Sequence, residues 1–261
     1  MGRWKGRWLL GASMLNLIFL YAPIAVLVLF SFNASRLSAE WHGFTLRWYR
    51  ALAADEALLA ATWNSLAVAG VSTVLATILG VGLAVGLDRF SSRTRRIVGA
   101  GLLLPLVIPE LMIGVALLLF FVLISLPLSL ATVTIGHVAI NLPLVAVVVR
   151  ARLHQLDPGL AEAARDLGAT PWQAFQRVSL PLLAPAIIGS MLLIFTLSLD
   201  DFIVTFFTAG PGSTTLPLKV YSMVKSGVSP EINALSAILV LISMGLVALS
   251  LLLQRRALMQ N

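Results

Sequence analysis

Long apolar runs alternate with short polar segments along the whole chain, at residues 8–30, 62–87, 97–124, 129–149, 182–206 and 232–253. Crossing ~30 Å of hydrocarbon as a helix takes roughly 20 mostly apolar residues, and each run reaches that length. The pattern predicts an all-α, polytopic membrane protein with six transmembrane helices. Residues 1–58 form the first helix and an outer loop, 59–253 a five-helix core, and 254–261 a tail, which leaves no room for a separate catalytic domain. Composition agrees, with 59% hydrophobic residues, 11% charged residues and a mean hydropathy of +0.97.

Between the runs, Lys and Arg collect on one side. Arg3, Lys5, Arg7, Arg89, Arg93, Arg95, Arg96, Arg150, Arg152, Arg165, Arg177, Arg255 and Arg256 are thirteen of the 18 basic residues, against Arg36, Arg47, Arg50, Lys219 and Lys225 on the other. Positively charged loops are retained in the cytoplasm, so both termini and the segment after residue 150 are expected inside. Topology and lipid headgroups account for the net charge of +7 without nucleic acid. The first run is longer than a signal-peptide core and lacks a small-residue cleavage site, so it is read as a retained helix.

The polar segment at 150–181 carries its own punctuation. Asp157 can cap a helix with Pro158 at its first position, Gly168 can end it in a left-handed conformation, and Thr170 with Gln173 has capping-box spacing ahead of Pro171. Glu162, Ala163 and Ala164, then Gly168, Val178, Leu180 and Pro181 resemble the "EAA" cytoplasmic loop of ABC-importer permeases, with Val178 where isoleucine is usual. The resemblance implies that Glu162, Ala163, Ala164 and Gly168 form a coupling helix that docks on an ATPase.

Little other chemistry is encoded. With no cysteine there is neither a disulfide framework nor a thiolate site, and His42, His137 and His154 fall in an outer loop, a span and an inner loop without metal-ligand spacing. The histidines are assigned no site; they read as hydrogen-bonding or interfacial residues. No glycine-rich phosphate loop precedes a lysine, so any ATPase is another chain. We therefore expect no catalytic residue, no metal and no cofactor bound by this chain. Trp41, Phe44, Trp48 and Tyr49 suit a membrane interface. Gly80, Gly82 and Gly86 suit close helix approach.

Three carboxylates stand against this background: Glu110 after Pro105 and Pro109, and the adjacent Asp200 and Asp201. An acid at the centre of a span costs roughly 2.5–3.5 kcal/mol on an insertion scale and by default marks a cavity, a partner or a pathway. The two prolines can bend the helix before Glu110. Adjacent helical residues point ~100° apart, so Asp200 and Asp201 cannot both face one path. Spaced carboxylates with an aromatic face, for which Tyr221 is a candidate, suit an organic polycation.

With the outer segment 32–49, the LSLDDF run, the GPGSTTLPL turn and SPEINAL, the chain is similar to the second permease subunit of spermidine/putrescine importers, the PotC/PotI type. The resemblance implies a type I ABC-importer permease fold in a bacterial inner membrane. It also implies a homologous second permease, two copies of a cytoplasmic ATPase that hold ATP and Mg, and a periplasmic polyamine-binding protein. Glu110, Asp200, Asp201 and Tyr221 are then the expected substrate path. The residues alone leave open an ABC permease for another small solute, or a proton-coupled secondary transporter using the same acids.

Overall fold

The computed structural model describes residues 2–35, 40–87, 90–227 and 229–258, with side chains described except at 2–9, 158 and 246–258. Arg36, Arg89 and residues 259–261 of the expected tail lie outside the described residues. So do the side chains of Arg3, Lys5, Arg7, Arg255 and Arg256. Among the described residues the chain is helical, with one isolated antiparallel bridge between Asn33 and Phe44. The helices are α1 Gly2–Phe30, α2 Arg47–Ala54, α3 Glu56–Gly86, α4 Ser92–Val107, α5 Glu110–Leu123 and α6 Leu130–Leu153. They continue as α7 Pro158–Asp166, α8 Pro171–Ala174, α9 Leu180–Asp200, α10 Ile203–Thr208, α11 Leu216–Lys225 and α12 Pro230–Leu258.

Two compact units divide the chain, one of Met1–Leu59 with Val220–Asn261 and one of Ala60–Lys219. In the first, α12 packs against α1 and α2. The loop after α1 is knotted around Asn33, which is fully buried. Its amide donates to the Glu40 carbonyl at 2.7 Å, its Oδ1 accepts from the His42 N–H at 2.9 Å, and its own carbonyl accepts the Trp48 indole N–H at 2.7 Å. These bonds satisfy polar groups that burial would otherwise leave costly. The expected aromatic belt therefore divides: Trp41 and Phe44 are exposed, whereas Trp48 belongs to the core. Phe32 stacks on Phe44 and tilts against Tyr49, each at 5.2 Å between ring centres.

In the second unit, Ala76 and Ala84 of α3, Val145 and Val149 of α6, and Leu183 and Ile194 of α9 form a fully buried core. Small residues on α3 let the larger ones of α6 and α9 approach, which matters in lipid because tight van der Waals packing has to stand in for the hydrophobic force between helices. Of the three glycines, only Gly80 makes the close approach: an added Cβ would stand 2.8 Å from Val145 Cβ, while Gly82 and Gly86 have open space.

Among the described residues, four helices are long and apolar enough to cross a membrane: Leu10–Phe30, Glu56–Gly86, Leu130–Leu153 and Pro171–Asp200. The span expected at 97–124 is not one straight helix. It breaks between α4 and α5 with a bend of 109°, and counts as a fifth crossing only if the bent pair is taken together. Proline explains the break. Ile108 precedes Pro109 and is pushed into extended backbone at ψ 135°, and Pro109 has no N–H to continue the helix. The fifth expected run also ends early, at Asp200, and α10 starts separately. In the last, the described apolar stretch is Pro230–Gly245, shorter than a span, and its continuation runs into side chains outside the description.

Candidate functional site

The break before α5 and the break before α10 bring two of the flagged acids together. The Glu110 carboxyl, in the first turn of α5, is the neighbour of the Asp201 carboxyl at the end of α9. Glu110 is exposed, while Asp201 is 7% exposed. Asp200 is exposed beside it, as the angular offset of adjacent residues requires. Tyr221 lies on α11 beyond Lys219, in the other compact unit, and is exposed.

Asp201 sits at the start of α10 and accepts from its free amides, from Val204 N–H at 3.3 Å and Thr205 N–H at 2.8 Å. A carboxylate here satisfies orphan donors and meets the positive end of the helix. The Thr205 hydroxyl donates to Oδ2 at 2.7 Å, and His137 Nε2 of α6 stands 2.9 Å from the same oxygen. On the far side of the ring, Nδ1 meets Ser198 Oγ at 2.5 Å, and Ser198 meets Ser72 Oγ of α3 at 3.1 Å. Thr205 donates its hydroxyl to Asp201, so the Nε2 that stands beside both is a donor. Ser198 links Nδ1 to Ser72, whose hydroxyl donates to the Ala69 carbonyl. His137 and Asp201 form a buried hydrogen-bonded pair.

The backbone around the pair is close-packed. On α5, a Cβ at Gly114 would stand 2.8 Å from the Phe207 ring, and on α6 a Cβ at Gly136 would stand 2.9 Å from Val204. The two glycines seat α10 between α5 and α6, and the Thr132 hydroxyl donates to the Thr208 carbonyl at 2.7 Å to hold its far end. The following GPG turn is clasped to α3: Asn64 donates to the carbonyls of Gly212 and Thr214 at 3.3 and 2.9 Å, and Ser65 Oγ accepts the Leu216 N–H at 2.8 Å. The partners His137, Ser198, Thr205 and Ser72 carried no assignment in the sequence reading. A histidine inside an apolar run is the same anomaly that flags the acids, and is the signal that could have found them.

The polar segment at 150–181 folds by local rules. Asp157 accepts from Gly159 N–H at 2.9 Å, and α7 ends with Gly168 at φ +90°. There the Ala169 and Gly168 amides return to the carbonyls of Ala164 and Arg165 in a Schellman closure. The Thr170 and Gln173 capping box opens α8, with bonds of 2.9 and 3.3 Å. A five-residue π-turn, Phe175–Ser179, then joins α8 to α9. Leu167 is 90% and Trp172 66% exposed, so the loop presents apolar side chains outward. Among the described residues no group of three metal-ligating side chains occurs.

The buried pair leads to a double-mutant test. Removing one partner of a buried pair costs about 3–5 kcal/mol, whereas removing both is often near neutral. His137→Leu and Asp201→Leu should each lower the unfolding midpoint of the purified protein strongly, and the double variant should recover part of the loss. Additive losses in the double variant would mean that the two side chains are not coupled.

Comparison with known proteins follows the same lines. Residues 76–257 match the family described as "Binding-protein-dependent transport system inner membrane component". The chain is 43% identical over 251 residues to the putrescine transport system permease protein PotI of Escherichia coli K12, covering 93% of this chain and 89% of that one. It is 40% identical to the spermidine/putrescine transport system permease protein PotC of the same organism, covering 96% and 95%. A crystal structure of a bacterial ABC transporter that imports alginate superposes with a TM-score of 0.73 at 20% identity over 97% of this chain and 96% of that one, which establishes the fold. The chain belongs to the binding-protein-dependent transport system inner membrane components, as a multi-pass permease with the ABC-importer fold.

Proposed function

We propose that the chain is the permease subunit of an ATP-driven importer of polyamines, putrescine or spermidine. The observation that carries this reading is the full-length likeness to two polyamine permeases, joined to a carboxylate cluster at two helix breaks. Glu110 faces outward beside Asp201, whose oxygens are already taken up by His137, Thr205 and the α10 amides, so Glu110 is the carboxylate left to meet an ammonium group. Exposed Asp200 is a second carboxylate anchor for a spaced polycation. The partners are a homologous permease, two copies of a cytoplasmic ATPase that hold ATP and Mg, and a periplasmic polyamine-binding protein. Both termini and the 150–181 loop face the cytoplasm, and Glu162, Ala163, Ala164 and Gly168 seat on the ATPase with Leu167 and Trp172 as apolar contacts.

Three outcomes test the reading. An ammonium at ~4 Å from a carboxylate gains about 1–4 kcal/mol between water and a partly screened surface, which is about fivefold or more in binding. Glu110→Gln should therefore lower uptake of labelled putrescine or spermidine at least about fivefold with membrane insertion unchanged, and Asp200→Asn less; parental uptake in both would remove the acids from the path. Gly168→Val cannot hold φ +90° without strain. It should separate ATP hydrolysis from uptake or prevent assembly, and normal coupled transport would exclude the docking role. Cysteines placed at Arg93 and Arg177 should label only from inside, and those at Trp41 and Lys219 only from outside; outside labelling at 93 overturns the orientation.

A further inference from the structure

Away from the acidic cluster, α4 and α6 pack together and line an open pocket of about 550 Å³ that none of the roles above uses. Its polar end holds Arg95 and Arg96 from the first turns of α4, and Arg150 and His154 from the end of α6. Arg150 reaches back across the helix pair to Gly99, where an added Cβ would stand 3.6 Å from its Nη1. Its other wall is apolar, with Leu102 and Leu103 one to two turns further along α4. Retention of positive loops needs charge near a membrane surface. It does not need three guanidinium groups converging on one cavity between two membrane helices.

We propose that this pocket is a binding site for the headgroup phosphate of an anionic phospholipid of the phosphatidylglycerol class. Guanidinium groups pair with phosphate through charge-assisted, often bidentate hydrogen bonds. Basic pockets between membrane helices on the cytoplasmic side are where such headgroups bind. The change from basic to apolar lining selects a lipid over free phosphate. Seven residues separate Arg95 from Leu102, about 10 Å of helix, which spans the roughly 5–8 Å of one headgroup layer and reaches the acyl region. A free phosphate would use only the arginine end. The bound lipid would join α4, the first half of the broken span, to α6, which carries His137. The assignment to the inner leaflet rests on the proposed orientation; binding itself rests on the geometry alone.

Native mass spectrometry of the purified transporter, with its partner subunits, in a neutral detergent tests this. Dioleoyl phosphatidylglycerol, dioleoyl phosphatidylcholine and inorganic phosphate are the probes. The parent should retain phosphatidylglycerol in preference to phosphatidylcholine. Arg95→Gln/Arg96→Gln should weaken that retention about tenfold or more, for the loss of two charges near a phosphate. Arg95→Lys/Arg96→Lys should keep most of it, which separates charge from misfolding, and Arg50→Gln, a charge removed from the other compact unit, should change nothing. Equal retention of phosphatidylglycerol by the parent and the double glutamine variant overturns the site, as does equal retention of the two lipids by the parent. Displacement of phosphatidylglycerol by millimolar inorganic phosphate would show a free-phosphate site and overturn the lipid assignment. Because these readouts involve neither uptake nor labelling, the lipid site and the polyamine reading can fail separately.

Discussion

A carboxylate carried into an apolar helix bundle needs hydrogen-bond donors, and Asp201 draws them from two helices, α10 and α6. It takes amides from the start of α10, a hydroxyl from Thr205 and an imidazole from α6, and lies beside Glu110 of α5. Through Ser198 and Ser72 the same chain reaches α9 and α3. Each member is satisfied by the next, and a half-satisfied network of this kind would be worse than an apolar core. The packing of the central unit follows from that requirement: Gly114 and Gly136 have no side chain because α10 must lie close enough for Thr205 and Asp201 to meet His137.

The two interruptions of helical structure serve the same end. A continuous helix through Ile108 and Pro109 would carry Glu110 along the membrane normal, whereas the 109° bend puts it in the first turn of a new helix next to the breakpoint after Asp200. Irregular backbone at such depth is tolerated where protein buries it or where it lines a cavity. Buried Asp201 and exposed Glu110 thus stand side by side in different surroundings, Asp201 holding α10 to α6 and Glu110 reaching the surface.

The 150–181 loop is built on the opposite principle. Its helix ends are set by contacts three or four residues apart, from Asp157, Gly168, Thr170 and Gln173, and its apolar side chains Leu167 and Trp172 are left uncovered. Local capping makes a rigid element without a core of its own, and an exposed apolar face is the feature that marks a protein interaction surface. The outer loop of the first unit adds a third solution, in which the Asn33 side chain holds the backbone of Glu40 and His42 and its main-chain carbonyl takes the Trp48 indole N–H.

Much of this was legible in the residues. Span-length apolar runs, proline before Glu110 and the capping pattern of 150–181 depend on composition and on neighbours within one helical turn, and such signals survive in a sequence. The family followed from motif spacing, and the location of costly acids in apolar runs flagged Glu110 and Asp201. What residues close in sequence could not settle was decided by contacts between distant ones. His137 is 61 residues from Ser198 and 68 from Thr205, so its role as a hydrogen-bond link exists only once α6, α9 and α10 are packed. The same holds for Trp48, whose burial depends on the carbonyl of Asn33, and for Gly80, which alone of three similar glycines meets α6. Apolar content and local stereochemistry determine that helices form and where they stop. Which polar groups meet inside them depends on the rotation of each helix about its axis, a property of the packed bundle alone.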